Sequence, residues 1–230
     1  MIVMKLLLKS LFLVTILSSS VIFSGCIGGD DEPQIPDDFY GDDIYPAIDV
    51  ESFVLVDEIG NNYSSQNLDG QVVIVIFMFT RCPDVCPIVS ANANWLYGQL
   101  NEAEQEKVSV ISITVDPWND NSTILAQYMD DMSLNWSHLT GEVEQLEPVW
   151  GNFDVGLKTV TNDDYYQNNS DNTTGSDETS GRHHPDYDYL VDHSTGTILV
   201  DKKGSQRVWW RDVDWVPDLV LEDVKKLLLE

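Results

Sequence analysis

The sequence predicts an α/β domain, with a central mixed sheet flanked by helices. Two continuous apolar runs of strand length, residues 72–79 and 108–115, carry this prediction, because β-branched runs of that kind suit strands buried on both faces. Between them, apolar residues recur at helical spacing over residues 85–100. The order strand, helix, strand is therefore the first indication of the architecture.

The other predicted elements flank this unit on both sides. Pro217 begins the last helix, and its acidic residues come early and its lysines late, which suits the helix dipole. In chain order we expect an N-terminal hairpin with a strand at 53–60, and helices at 122–132 and 142–153, the latter shortened or kinked by Pro148. Strands at 189–192 and 197–201 are expected to form a second hairpin, which carries His193 and is joined by a short polar turn.

The N-terminus has the pattern of a targeting segment. Lys5 and Lys9 precede an apolar run that ends in Phe-Ser-Gly-Cys26, which is similar to a lipobox, so residues 1–25 are predicted to be a signal peptide and Cys26 the lipidated first residue. An uncleaved N-terminal helical anchor is the alternative. Either version places the protein at the cell membrane, anchored on the extracytoplasmic face.

An acidic, Asp-, Gly- and Pro-rich tether over residues 26–48 is expected to lead into one domain over residues 49–230. Within that domain, residues 162–186 are predicted to form a polar insertion, since they contain almost no apolar side chains. The net charge of -27, from 12 basic and 39 acidic residues, excludes nucleic acid as a partner, because the two would repel each other.

Five Asn-x-Ser/Thr sequons raise the question of glycosylation outside the cytoplasm, but unmodified surface asparagine is an equally good interpretation of so short a motif. They lie at Asn62, Asn121, Asn135, Asn168 and Asn172.

Cys82 and Cys86 are the only cysteines of the predicted domain. They lie where a buried strand gives way to a helix, a position that favours thiolates. So short a loop gains little stability from a disulfide, which argues for chemistry over a structural bridge. A redox disulfide without metal is one interpretation. A soft-metal site is the other interpretation. Such a site needs a third ligand, and His193 at a predicted strand end is the best candidate. Two thiolates with an imidazole suit Cu(I) or Cu(II).

These motifs together resemble the SCO/SenC family of copper chaperones, which have a thioredoxin-like fold and serve assembly of the copper site of cytochrome oxidase. Phe79-Thr-Arg-Cys-Pro-Asp-Val-Cys-Pro87 with the distant Val191-Asp-His-Ser194 is the most specific part. The resemblance also includes Phe53, Gly60, Thr114-Val-Asp-Pro117 with Asp120, Leu139-Thr-Gly141, Asp201 and Gly204. It implies Cys82, Cys86 and His193 as copper ligands and Cys82 with Cys86 as the redox disulfide.

Two functions follow as expectations. The first is a copper metallochaperone that delivers copper to the copper-bearing subunit of a cytochrome oxidase. The alternative is a thiol-disulfide oxidoreductase that reduces the partner's copper-binding cysteines and is itself recharged by a thiol reductant. A thioredoxin-fold peroxidase is disfavoured, because Val75 and Phe79 stand where its motif requires Pro and Thr.

Several further residues near these motifs have ordinary explanations. Asp116 is expected to cap a turn, although Asp116 and Asp192 could also orient His193. Met78 is expected in the core, and His183 and His184 in a solvated loop. We expect Trp209, Trp210 and Trp215 to be buried, with a docking patch as the alternative. Trp118 and Asn119 replace a charged pair that is usual in the family.

Overall fold

The computed structural model describes residues 39–161, 189–194 and 196–230. The predicted signal peptide, Cys26, the part of the tether before residue 39, and the insertion at 162–186 with His183 and His184 lie outside the described residues. The described residues include, in chain order, the strands β1 Asp42–Asp49, β2 Val54–Val56, β3 Asn62–Ser64, β4 Val72–Met78, β5 Val108–Thr114, β6 Ser137–Leu139, β7 Leu157–Thr161, β8 Tyr189–His193, β9 Thr197–Val200 and β10 Ser205–Trp210. The helices are α1 Val85–Gln99, α2 Glu102–Gln105, α3 Ser122–Met132, α4 Val143–Asn152 and α5 Pro217–Leu229.

A six-stranded mixed sheet forms the centre, in the order β1-β10-β9-β4-β5-β6. β4, β5 and β6 are parallel to one another, whereas β9 runs antiparallel to β4. Two small antiparallel pairs, β2 with β3 and β7 with β8, lie outside this sheet. The predicted mixed sheet with flanking helices is confirmed.

β4 is the middle of the core because every residue of it is buried. Alternate side chains of a strand point to opposite faces. Accordingly Val72, Ile74, Ile76 and Met78 pack with apolar residues of α1 and α5, while Val73, Val75 and Phe77 pack with those of α4 on the other face. The sheet is thus covered on both sides, and the continuous apolar run reflects this double burial.

The domain begins earlier than residue 49, the boundary that the sequence predicts. β1 starts at Asp42 and pairs with β10, and the backbone N–H groups of Tyr40 and Gly41 donate to the carboxylate of Asp223 on α5. Most side chains of β1 are exposed, and the strand contains Pro46. Its position depends on backbone pairing with β10, so the sequence has no hydrophobic pattern here that could predict a strand.

The strands at 189–193 and 197–200 do not form the hairpin that the sequence predicts. β8 pairs with β7 in the separate two-stranded sheet, and β9 joins the central sheet between β10 and β4. A polar turn signals only that the chain changes direction, so it could not identify the partner strand. The strands β7 and β10 were themselves absent from the prediction. No helix among the described residues has the length and apolar character needed to cross a membrane.

Candidate thiol and metal site

The cysteine pair lies at the carboxyl end of the central strand. β4 ends at Met78, a loop follows, and α1 begins at Val85. The N–H of Cys82 donates to the carbonyl of Phe79 at 3.1 Å, which turns the loop back on itself. Cys82 lies before the helix and is half-buried, whereas Cys86 lies in the first turn and is 2% exposed. Cys82 is therefore the thiol that a partner reaches first.

The two thiols are close enough to interact. The pKa of the Cys86 thiol is raised, first by its side-chain hydrogen bond with Cys82 and then by burial. The pair is present as free cysteines. A hydrogen bond between sulfur atoms places them within reach of a disulfide or of one shared soft ion.

A second network holds the loop that carries the cysteines. Asp120 is fully buried and accepts from the Thr80 N–H at 3.0 Å, the Thr80 hydroxyl at 2.5 Å and the Thr114 hydroxyl at 2.7 Å. Asn119 adds an amide donor at 2.8 Å. One carboxylate thus fixes both the end of β5 and the residue two positions before Cys82.

The sequence suggested that Asp116 caps a turn, but its side chain does more than that. Its buried carboxylate accepts from Arg81 at 2.7 and 3.2 Å and from the Tyr189 hydroxyl at 2.6 Å. The guanidinium of Arg81 also lies over the Tyr189 ring, 4.6 Å from its centroid. Burial raises the pKa of Asp116, although both hydrogen bonds act in the opposite direction. The cysteine loop is thereby joined to β8.

His193 is the last residue of β8 and is half-buried. Its ring stands edge-on to Phe79, with the centroids 5.7 Å apart. Its Nδ1 lies 3.1 Å from the carbonyl oxygen of Ser194, so Nδ1 carries the proton that is donated there and Nε2 carries the lone pair. Burial lowers the pKa of His193, which favours the neutral ring that metals bind.

Phe79 therefore touches His193 and also contributes backbone contacts to the cysteine loop. In the described part of the chain, however, no three or more His, Cys, Asp or Glu side chains lie close enough together to hold a metal ion. The structure brings the two thiols together, and it brings His193 to the same loop without closing a three-ligand site.

Asp212 is a site neighbour that the sequence did not reveal. It begins the short 3₁₀ helix Asp212–Asp214, which contacts α1. Its side chain is buried, and its Oδ1 has no hydrogen-bond partner within the described residues. Burial, and then the charge of Cys82, raises the pKa of Asp212 to about 7. An Asp in a run of charged residues is usually on the surface, so only the fold identifies this one.

The other residues that the sequence singled out lie in the core or on the surface. Met78 is fully buried, and Trp210 and Trp215 are buried at 5% and 7% exposure, as expected. Trp209, also expected to be buried, is only half-buried. Asp192 is exposed. Trp118 is 53% exposed and stands edge-on to Tyr189, with the ring centroids 6.3 Å apart.

Comparison with known proteins identifies the relatives of this arrangement. The SCO1/SenC family model matches residues 43–229. A Stutzerimonas stutzeri protein named as a candidate for copper binding is 32% identical over 66% of this chain, and the chain spans 64% of the length of that relative. The solution structure of apo Sco1 from Thermus thermophilus superposes with a TM-score of 0.65 at 26% identity, covering 82% of this chain and 96% of that one. BsSco, described as having a disulfide switch and as a member of the Sco family of cytochrome c oxidase assembly proteins, gives a TM-score of 0.57 at 26% identity, covering 84% of this chain and 97% of that one.

Proposed function

The chain belongs to the SCO1/SenC family and has its thioredoxin-like fold, and from that premise we propose that it is a copper metallochaperone acting in the assembly of a cytochrome oxidase. The observation that carries the proposal is the pair of interacting thiols beside a strand that ends in His193. Copper is the cargo of this protein. Its intended recipient is the copper-bearing subunit of the oxidase.

The donor set fits the cargo. Two thiolates are soft ligands that prefer Cu(I), and an imidazole completes a trigonal site that also suits Cu(II). Cys82, Cys86 and the Nε2 of His193 are the proposed ligands. The hydrogen bond from Nδ1 to the Ser194 carbonyl supports this assignment, because it fixes the tautomer that leaves Nε2 available.

Delivery is proposed to be ligand exchange without turnover. Cys82 is the more exposed thiol, so a sulfur ligand of the recipient replaces it first. Copper keeps its oxidation state when ligands are exchanged one by one, and no bond of the protein chain is made or broken. The buried Cys86 is then the last sulfur to release the ion.

The contact between the thiols also supports a second function, reduction of the partner's disulfide. The Cys82 thiolate would attack one partner sulfur and release the other as a thiolate, and Cys86 would then displace the mixed disulfide. The protein ends as the Cys82–Cys86 disulfide and the partner as a dithiol. Two electrons pass to the partner, and an external thiol reductant restores the protein.

Membrane attachment through lipidated Cys26, or through an uncleaved N-terminal anchor, is part of the same proposal. It would hold the domain on the extracytoplasmic face of the membrane.

A His193→Ala variant separates the two functions, because copper binding needs the imidazole and dithiol exchange does not. We expect its copper affinity to fall at least about tenfold while the Cys82–Cys86 disulfide still titrates. Copper competition with a Cu(I) chelator and a redox titration provide the two measurements.

A His183→Ala, His184→Ala double variant is the control, since it removes two imidazoles that are not proposed ligands. Full copper affinity in His193→Ala would refute the ligand assignment.

A further inference from the structure

The β7–β8 pair that carries His193 has little support of its own. It forms a separate two-stranded sheet, and such pairs are marginal in water without packing against something else. At the His193 end it is closed by the Ser194 N–H donating to the Gly156 carbonyl and the Gly156 N–H donating to the Ser194 hydroxyl, both at 2.8 Å. These bonds hold β8 to β7, but they do not hold the pair to the cysteine loop.

The strand period decides which side chains of β8 can make that attachment. Tyr189, Val191 and His193 share one face, since alternate residues point the same way. Each of them contacts the body of the domain: Tyr189 bonds Asp116, Val191 packs against the core on the α4 side of the sheet, and His193 meets Phe79. Asp192, on the other face, is exposed.

Among these three contacts, the one at Tyr189 is the polar and directional one. The Asp116 carboxylate is fully buried, and it accepts the Tyr189 hydroxyl at 2.6 Å together with two Arg81 donors. The Arg81 guanidinium in turn covers the Tyr189 ring. Arg81 is adjacent to Cys82 in the chain, so a shift of Tyr189 is transmitted directly to the cysteine loop.

Tyr189 and His193 lie four residues apart, about 13 Å along the strand. Fixing the first end of a strand limits where the other end can move. From this geometry we propose that Arg81, Asp116 and Tyr189 form a positioning latch, which holds β8 against the cysteine loop so that His193 stays within reach of the thiols. This inference rests on the proposed copper function, because it assigns a role to residues that are not themselves ligands.

Trp118 adds an outer cover to the latch. It stands edge-on to the Tyr189 ring and is 53% exposed, so it shields the ring from one side while facing solvent on the other. Trp118, which stands where the family usually has a charged residue, thus packs against Tyr189.

The first test uses the metal-free, reduced full chain and needs no copper. Tyr189→Phe removes only the hydroxyl, and amide hydrogen exchange within β8 is expected to accelerate about tenfold to a hundredfold, the effect of losing a hydrogen bond to a charged group. Exchange in β4 should stay as in the parent. Tyr128→Phe is the matched control, since it removes the hydroxyl of a half-buried tyrosine that bonds Ser90 and makes no link to β8. Unchanged exchange in β8 of Tyr189→Phe would overturn the latch.

The second test measures copper affinity by competition with a Cu(I) chelator. We expect Tyr189→Phe and Arg81→Ala to weaken binding about tenfold, with Arg81→Lys partly restoring it, because lysine keeps the charge and loses the planar fork. Parent-like affinity in Tyr189→Phe, beside a loss in His193→Ala, would overturn the latch and leave the copper proposal standing. Parent-like affinity in His193→Ala would overturn the ligand set, while the exchange result would still decide whether β8 is latched.

Discussion

Asp116 and Asp120 lie four residues apart after β5, and each holds a different part of the cysteine loop. The Asp120 carboxylate accepts hydrogen bonds from the Thr80 and Thr114 hydroxyls and from the Thr80 N–H. The Asp116 carboxylate accepts hydrogen bonds from Arg81 and Tyr189. Both carboxylates are fully buried, where an unpaired charge would be costly. The loop before Cys82 is therefore set by two acidic side chains that are not themselves proposed ligands.

Replacing Asp120 by alanine should destabilise the fold strongly. The change leaves buried hydroxyl and amide donors without an acceptor, so we expect the free energy of unfolding to fall by about 2 to 4 kcal/mol. Urea unfolding of the reduced chain measures the difference. Asp131→Ala, on the exposed side of α3, is the control and should change stability by less than about 0.5 kcal/mol. Equal losses in the two variants would contradict the role given to Asp120.

His138 gives the molecule a pH dependence that does not involve the thiols. Its ring is buried between Trp136 and Tyr128, its Nδ1 lies 3.0 Å from the Trp136 carbonyl, and its Nε2 has no partner among the described residues. The carboxylate of Glu58 accepts its backbone N–H. Burial lowers the pKa of His138 from 6.5 to about 4.

Because the unfolded chain takes up this proton at higher pH than the folded chain, stability is retained above pH 6.5 and lost as the pH falls toward 4. The loss assigned to His138 is about 3 kcal/mol. Urea unfolding of the parent and of His138→Gln across this window isolates it: the parent curve should fall more steeply as the pH falls. Parallel curves would show that His138 does not carry the effect.

At the scale of residues, the motifs singled out Cys82, Cys86 and His193, whose role as copper ligands stays a prediction. The motifs could not show that Asp116 accepts a hydrogen bond from Tyr189, because 73 residues separate the two and only the fold brings them together. Asp212 was missed for the same reason. A buried carboxyl has no local signature in the sequence.

At the scale of elements, strands and helices with a buried face were predictable and strands defined by backbone pairing were not. β4, β5, α1 and α3 follow their hydrophobic patterns closely. β1 lacks such a pattern, since seven of its eight side chains are exposed and it is held mainly through β10 and Asp223. The partner of β8 was mistaken because β8 and β9, although consecutive in the chain, belong to different sheets.

The boundary at β1 can be tested by truncation. A chain that begins at residue 50 loses the β1–β10 ladder and the bonds from Tyr40 and Gly41 to Asp223, which leaves a buried carboxylate with fewer donors. We expect it to be less stable than a chain that begins at residue 39 by about 2 to 4 kcal/mol. Thermal and urea unfolding of the two chains measure this. Equal stability would mean that the domain does begin near residue 49.

At the scale of the whole molecule, the fold class and family followed from the order of elements and one specific pair of motifs. The central sheet places the cysteine loop at the carboxyl end of β4, and the second small sheet brings His193 to that loop. The chain has a net charge of -27 and only 12 basic residues. One of them, Arg81, forms an ion pair with Asp116 beside the cysteine loop.

Copper stoichiometry tests the central claim most directly. The reduced chain is measured in a Cys26→Ser background, so that only Cys82 and Cys86 supply thiolates, beside Cys82→Ala, Cys86→Ala and His193→Ala. We predict one tightly held copper per chain in the parent, lost in each thiol variant and weakened in His193→Ala. Absence of tight copper binding in the parent, with a Cys82–Cys86 disulfide that still exchanges, would contradict the metallochaperone and leave thiol-disulfide exchange as the function.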